Sequence, residues 1–311
     1  MFESIDQLLF DLAHRLGVMT IYLNPLLAIT MVGLTCGMVG SLVIGNRMAF
    51  FSDAMAHTAF AGIGLALLGI VLAVGATSAR QAEPYLWLVP WVTAAVGVAA
   101  GLAIVGVRSR TGLSNDTVIG VFFALATGIG GMLLPEVRKQ IGLDPDQFLF
   151  GSITYTTGSD LFTLFVLTAL TAVVVSLRYN ALVFASFNPS LARSRGVPVA
   201  VNDYVLVVLL ALVVNLSVKV VGVLLINAML VVPAAAAVNL ARNLRQVFWL
   251  TVASSVIVGL VGVQLSHRLA IPLRGREPLT FGPSGTIVVV AVGWFFLTML
   301  FSRGRAAGRA G

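Results

Sequence analysis

Nine apolar stretches alternate along the chain with short polar connections. They run over Pro25–Gly45, Met55–Gly75, Leu86–Val107, Thr117–Leu134, Leu161–Tyr179, Asp203–Val218, Val220–Val238, Phe248–Leu265 and Thr286–Phe301. Each is near the roughly 20 residues that a helix needs to cross the hydrocarbon of a bilayer. The runs are continuously apolar rather than alternating, so they predict helices and not barrel strands. The expected fold is therefore an all-α integral membrane protein, a polytopic bundle of about nine (eight to ten) transmembrane helices. Between Asp203 and Asn239 the only charge is Lys219, beside Gly222, and the stretch is too long for one crossing. A tight turn there and a broken helix pair both fit.

Ahead of the first run, Ile5, Leu8, Leu9, Leu12 and Leu16 recur at helical spacing among Asp6, Gln7, Asp11 and His14. With Glu3, Asp6 and Asp11 where a positive n-region belongs, residues 1–22 are not a signal peptide. They read either as an amphipathic segment in the membrane interface or as the first turns of a longer first span. The expected organisation is that segment, a transmembrane domain over 23–302, and a basic tail over 303–311 carrying Arg303, Arg305 and Arg309.

Composition agrees with this division. The 311 residues are 59% hydrophobic and only 10% charged, with a mean hydropathy of +1.01. A soluble chain carries about 25% charged residues. The net charge of +7 comes from 19 basic and 12 acidic residues. The basic residues sit singly or in small groups between apolar runs, so they report topology rather than a nucleic-acid partner. The connections around Arg47, Arg108, Arg110, Arg178, Arg193, Arg195, Arg242, Arg245 and the tail hold eleven of them against three acidic residues. The positive-inside rule makes that face cytoplasmic, with the N-terminus outside and the C-terminus inside. Cys36 is the single cysteine and forms no internal disulfide.

Gly33, Gly37, Ser41 and Gly45 recur every fourth residue in the first span, and Gly97 and Gly101 do so in the third. Small residues at this spacing let helix backbones approach closely in lipid. Asn215, Ser217, Asn227 and Asn239 lie in or beside the sixth and seventh spans and read as interhelical hydrogen-bonding residues, with pore lining the alternative.

Catalytic signatures are absent: there is no Gly-Lys-Ser/Thr, His-Glu-x-x-His, Cys-x-x-Cys or Gly-x-Ser-x-Gly. Translocation is the remaining kind of work. His14 and His267 read as interfacial polar residues, and the methionines are too scattered for a thioether site. Asp53 and His57, in the run Ser52-Asp53-Ala54-Met55-Ala56-His57, are different. Four residues apart, they share one helix face. A carboxylate and an imidazole suit a first-row divalent cation, and ionisable groups inside a membrane are expensive. Against this, Asp53 as a simple helix-start residue with His57 hydrogen-bonded to it explains the same spacing. Two ligands do not complete a tetrahedral site; a two-fold pair of chains supplies four. Finally, Pro189 suits the start of a short amphipathic helix near 188–198, and Gly196 with Pro198 its end.

These motifs resemble the membrane permease family of the metal-ion ABC importers, which take up zinc, manganese or iron in bacteria. The resemblance rests on Ser52 to His57 with Gly62, Asp116-Thr117-Val118-Ile119-Gly120, Phe148 to Ile153, Leu191-Ala192 with Gly196-Val197, and Lys219 to Leu225 followed by Pro233-Ala234-Ala235. It extends in order from about residue 25 to 301. It implies a bundle like that of the cobalamin-type importers, in the bacterial plasma membrane. A second permease copy or a close paralogue would complete a dimer. Two cytoplasmic ATP-binding cassette subunits would dock below and an extracytoplasmic metal-binding protein above. ATP hydrolysis would belong to the cassette subunits, since this chain has no ATPase motif. By resemblance Asp53 and His57 match the metal-coordinating pair, and Asn188, Leu191, Ala192, Arg193, Gly196 and Val197 fall in the ATPase-coupling stretch. The transported manganese, zinc or iron is cargo, and no catalytic cofactor is implied. Arg274 and Arg276 make the last outer loop more basic than the family pattern. The rival reading is a self-sufficient, proton-coupled secondary metal transporter with Asp53 as the proton carrier.

Overall fold

The computed structural model describes residues 20–46, 48–75, 78–142, 151, 153–187, 189–271 and 279–307, together with Gln7 and Phe10. Its helices are α1 (Thr20–Gly45), α2 (Ala49–Val74), α3 (Val89–Thr111), α4 (Asn115–Ile141), α5 (Gly158–Phe187), α6 (Pro189–Ser194), α7 (Val199–Val221), α8 (Val223–Leu240), α9 (Leu244–Arg268) and α10 (Pro283–Ala307). All except the short α6 are long and apolar enough to span a membrane, giving nine candidate spans among the described residues. The expected all-α bundle is what forms. The amphipathic segment at 1–22, apart from Gln7, Phe10 and the first residues of α1, lies outside the described residues. So do His14, Arg47, Asn188, Arg274, Arg276 and Arg309.

Most of the helices outrun the apolar stretches that announced them, because intrahelical hydrogen bonding continues until a cap intervenes. The Ser114 hydroxyl accepts from Thr117 N–H at the start of α4, and the Asn243 side chain accepts from Gln246 N–H at the start of α9. Gly75, Gly112 and Gly142 end α2, α3 and α4 in the left-handed conformation. Pro135 does not stop α4, which continues to Ile141. The third span starts later than expected: Leu86 belongs to a 3-10 turn, Glu83–Leu88, and Pro90 falls in the first turn of α3. An unforeseen antiparallel ladder pairs Ala270–Ile271 with Leu279–Thr280.

Tyr22 of α1 meets His267 near the end of α9, whereas Gly45 lies against Ser186 near the end of α5. Lys219, near the end of α7, reaches Asp160 at the start of α5. Ser284, at the start of α10, lies by the Val221 carbonyl, and Asn239 of α8 bonds Thr298 of α10. Directions therefore alternate through the bundle, odd spans one way and even spans the other. Between the sixth and seventh spans the chain reverses at Gly222 alone, with φ 80° and ψ 161°, so the break falls three residues beyond Lys219. Only glycine adopts that backbone readily. Alternation also collects Arg108, Arg110, Arg193, Arg195, Arg242 and Arg245 at one end of the bundle, the basic end.

Four of the glycines in the predicted spacing, Gly33, Gly37, Gly97 and Gly101, make close interhelical contacts, while Gly45 is looser and the tight contact at Gly40 falls outside the pattern. Gly33 and Gly37 of α1 lie on Val256 and Val252 of α9, and a Cβ added at Gly37 would sit 2.6 Å from Val252 Cα. Gly40 abuts the Leu230 carbonyl of α8; Gly97 and Gly101 of α3 receive Asn215 and Val207 of α7. With no hydrophobic push between helices in lipid, such close contact supplies the dispersion that holds them. Most of the deeply buried large side chains, including Ile29, Met55, Leu210 and Met229, come from α1, α2, α7 and α8, with Leu164 of α5 and Ile287 of α10 in addition. At the other extreme, α4 and α10 are the least buried spans among the described residues.

Helix α6 forms where Pro189 and Gly196 place it and closes in a Schellman motif. Val197 N–H donates to the Ala192 carbonyl and Gly196 N–H to Arg193, with Gly196 at φ 76°. The apolar contact that accompanies this motif is present: buried Ala192 packs with Val197, Ala185 and Val199. Leu191 and Arg193 face outward.

Candidate cation site on helices α2, α4 and α8

Helix α2 begins at Ala49, six residues before the expected start of the span, so Asp53 lies in the second turn rather than at the helix entrance. A carboxylate there is past the first turn, where the helix dipole stabilises acids best. Four residues rise about 6 Å, which places Asp53 and then His57 inside the apolar part of the helix.

The two side chains share a face, and the hydrogen bond between them is not the expected one. His57 Nδ1 lies 2.9 Å from the Asp53 main-chain oxygen but 3.6 Å from Asp53 Oδ1, and 3.6 Å is beyond bonding distance. A carbonyl oxygen only accepts, so Nδ1 is the donor, and a ring carrying its single proton there has its lone pair on Nε2. That is the tautomer of a metal-ligating histidine whose other nitrogen is fixed by a backbone carbonyl. Phe123 of α4 and Phe60 hold the ring, with centroids 4.4 Å and 5.5 Å away.

Asp53 bonds outside its own helix. Asn227 Nδ2 of α8 donates to Asp53 Oδ1 at 2.5 Å, and Oδ2 makes no hydrogen bond among the described residues. The carboxylate opens on a groove of about 430 Å³ lined by Phe50, Asp53, Asp116, Ile119, Gly120 and Phe123. The Asp53 side chain is 45% exposed in the single chain and that of His57 24%. The arrangement thus offers one carboxylate oxygen and one imidazole nitrogen, both without partners among the described residues, with Asp53 and a second acid, Asp116, on the groove and His57 against the groove residue Phe123. No group of three or more His, Cys, Asp or Glu suited to a metal occurs among the described residues, so the pair is at most half of a coordination shell.

Of the polar residues singled out by sequence, Asn227 and Asn239 do bond across helices, but Asn215 and Ser217 do not. The Asn215 amide donates to Ala211 of its own helix, and Ser217 Oγ is buried without a partner among the described residues. His267 stands at the far end of the bundle beside Tyr22. In the proposed coupling stretch, Leu191, Arg193 and Gly196 are exposed, whereas Ala192 is buried and anchors α6. Sequence reasoning did not foresee the partners of Asp53. Asp116 entered only as part of a motif, and Asn227 carries no sign of its partner 174 positions away. The one available signal for Asn227 was an amide within an otherwise apolar run.

Comparison with known proteins agrees with this architecture. A manganese transport system membrane protein, MntC, of Halalkalibacterium halodurans is 28% identical over 280 residues, covering 90% of this chain and 86% of that protein. A probable iron transport system membrane protein of Haemophilus influenzae is 27% identical over 245 residues, covering 78% and 83%. Among solved structures, PsaBC from Streptococcus pneumoniae in complex with Fab superposes with a TM-score of 0.71 at 23% identity, covering 93% of this chain and 94% of that one. The profile of the ABC 3 transport family matches residues 19–302, which takes in all but the extreme ends of the chain, and the protein belongs to that family.

Proposed function

We infer that the chain is the membrane permease subunit of an ATP-driven importer of divalent transition-metal ions, with manganese, iron and zinc as the candidate cargo. The observation that carries this reading is the Asp53–His57 pair on one helix face, with Asp53 lining an open groove at the surface of the single chain and with Oδ2 and Nε2 unpartnered among the described residues. The manganese and iron transport named for the relatives points the same way.

A half-shell on an exposed face calls for a second half. The outer face of α4 beside the groove is lined by small residues, and a Cβ at Gly120, Gly128 or Gly131 would meet nothing within 4 Å. A second permease copy packed there brings a second Asp53–His57 pair toward the first, and four O and N ligands then enclose a dication. The two positive charges of the ion offset carboxylates that would otherwise cost about 2.5–3.5 kcal/mol each at mid-membrane. The basic end, by the positive-inside rule, faces the cytoplasm. There the exposed Leu191 and Arg193 of α6 form the contact for the cassette ATPase, while Ala192 and Val197 tie α6 to the bundle. Closure of two ATPases moves the α6 helices together and switches the groove between outward and inward access, and an extracytoplasmic binding protein delivers the ion to the opposite end.

The test is manganese uptake into proteoliposomes holding the permease with its ATPase partner. ATP-dependent accumulation that disappears in Asp53→Asn supports the reading. Uptake driven by a proton gradient in vesicles without ATPase moves the protein to the class of secondary transporters.

A further inference from the structure

The two oxygens of Asp53 are treated unequally. Oδ1 takes the short bond from Asn227 Nδ2, and Oδ2 has no partner among the described residues. Asn227 is asymmetric in the opposite sense: its own Oδ1 is buried without a hydrogen bond. A buried amide carbonyl left unpaired is costly; Asn24 and Asn215 carry the same unpaired oxygen, but among the four asparagines with an unpaired buried Oδ1 only Asn227 gives its N–H to an acid. The bond to Asp53 is the use this side chain is held for.

Resting on the cation-site reading above, we propose that Asn227 is a positioning residue for the ion. Its amide N–H locks the Asp53 carboxylate by one oxygen, so that the other is presented to the cargo beside His57 Nε2. The residue type fits this task. A lysine or arginine at 227 would cancel the carboxylate charge and repel a dication. An acid would lack the donor. A neutral amide orients the carboxylate and leaves its charge for the ion. This is the outer-shell bond to a ligating carboxylate that tunes metal affinity.

The same bond links the site to a fixed point about 7.5 Å away along α8. Asn227 lies five residues beyond the reversal at Gly222, and that reversal is clamped. Gly151, at φ 70°, packs directly on the Val221–Gly222 backbone with no room for a Cβ, and Lys219 Nζ holds Asp160 Oδ1 at 2.8 Å. The start of α8, about one turn before Asn227, is thus held by contacts outside the groove.

Manganese uptake by the complete transporter in proteoliposomes tests this, with assembly checked by gel filtration. Asn227→Ala is expected to raise KM for Mn²⁺ by about 10- to 100-fold, with the maximal rate within about twofold of the parent. Asn227→Asp, which keeps the shape and removes the donor, is expected to show the same KM defect, and it carries the comparison if the alanine variant fails to assemble. An unchanged KM in assembled N227A or N227D, alongside a dead D53N, overturns the role of Asn227 and leaves the site standing. A KM in N227D below that of the parent also overturns it, because residue 227 would then serve the ion as an oxygen ligand. Full activity of D53N removes the site itself.

Discussion

Apart from the exposed Glu136–Lys139 pair near the end of α4, two pairs of ionisable side chains within the described helices are built on opposite plans. Asp160 and Lys219 join α5 to α7 with a 2.8 Å contact, and the second Asp160 oxygen accepts from both the amide and the hydroxyl of Thr157. The Asp160 side chain is only 13% exposed. Asp53 and His57 lie on one helix, miss each other by side chain at 3.6 Å, and leave Oδ2 and Nε2 unused. The first pair is complete within one chain and fixes the start of the Gly222 reversal. The second is incomplete within one chain and faces a groove. In the reading proposed above, that open valence on costly groups inside a membrane is what a cargo ion would fill.

The comparison breaks most sharply with His57→Ala, for which manganese uptake in proteoliposomes should fall by at least about 100-fold, since a ligand is worth more than the outer-shell groups that support it. The variant should still elute from gel filtration like the parent; aggregation would instead make His57 a structural residue. The same contrast between closed and open surfaces recurs in the glycines. Gly37→Val drives a side chain into the α9 backbone and should cost about 1–3 kcal/mol or more of stability, as overpacked cores do. Thermal unfolding in detergent reads it, and an unshifted midpoint would contradict the close α1–α9 contact.

Opening the closed pair comes next in size. Lys219→Met strands Asp160 with one oxygen unpaired and should destabilise by about 1–3 kcal/mol, while the double variant Asp160→Asn with Lys219→Met recovers most of the loss. Non-recovery in the thermal midpoint would show that the pair does more than satisfy itself. The smallest effect on a single chain is expected from Gly128→Leu on the open face of α4, within about 0.5 kcal/mol because nothing lies over it. Its consequence should appear in self-association, measured by crosslinking in liposomes. Unaltered dimer formation would move the second copy off this face.

Much of the fold was legible in the residue order. Nine apolar runs gave nine spans, because each membrane helix must satisfy its backbone internally and so declares itself by local hydropathy. Gly33, Gly37, Gly97 and Gly101 marked close contacts for an equally local reason: a missing side chain is missing in any context. The ends were less legible. Pro135 does not terminate α4, and caps such as Ser114 and Asn243 lie outside the apolar runs that were counted.

The site divides in the same way. The sequence by itself determined that an acid and an imidazole four residues apart lie together on the second span, because helical spacing is a property of the backbone. Only the tertiary structure decided that His57 bonds the Asp53 main chain rather than its carboxylate, that Asn227 grips one carboxylate oxygen, and that Asp116 and Phe123 complete the groove. Those contacts depend on how α2, α4 and α8 lie against one another. The information that fixes that arrangement is spread over distant packing surfaces such as Gly40 on Leu230 and Gly130 on Phe60.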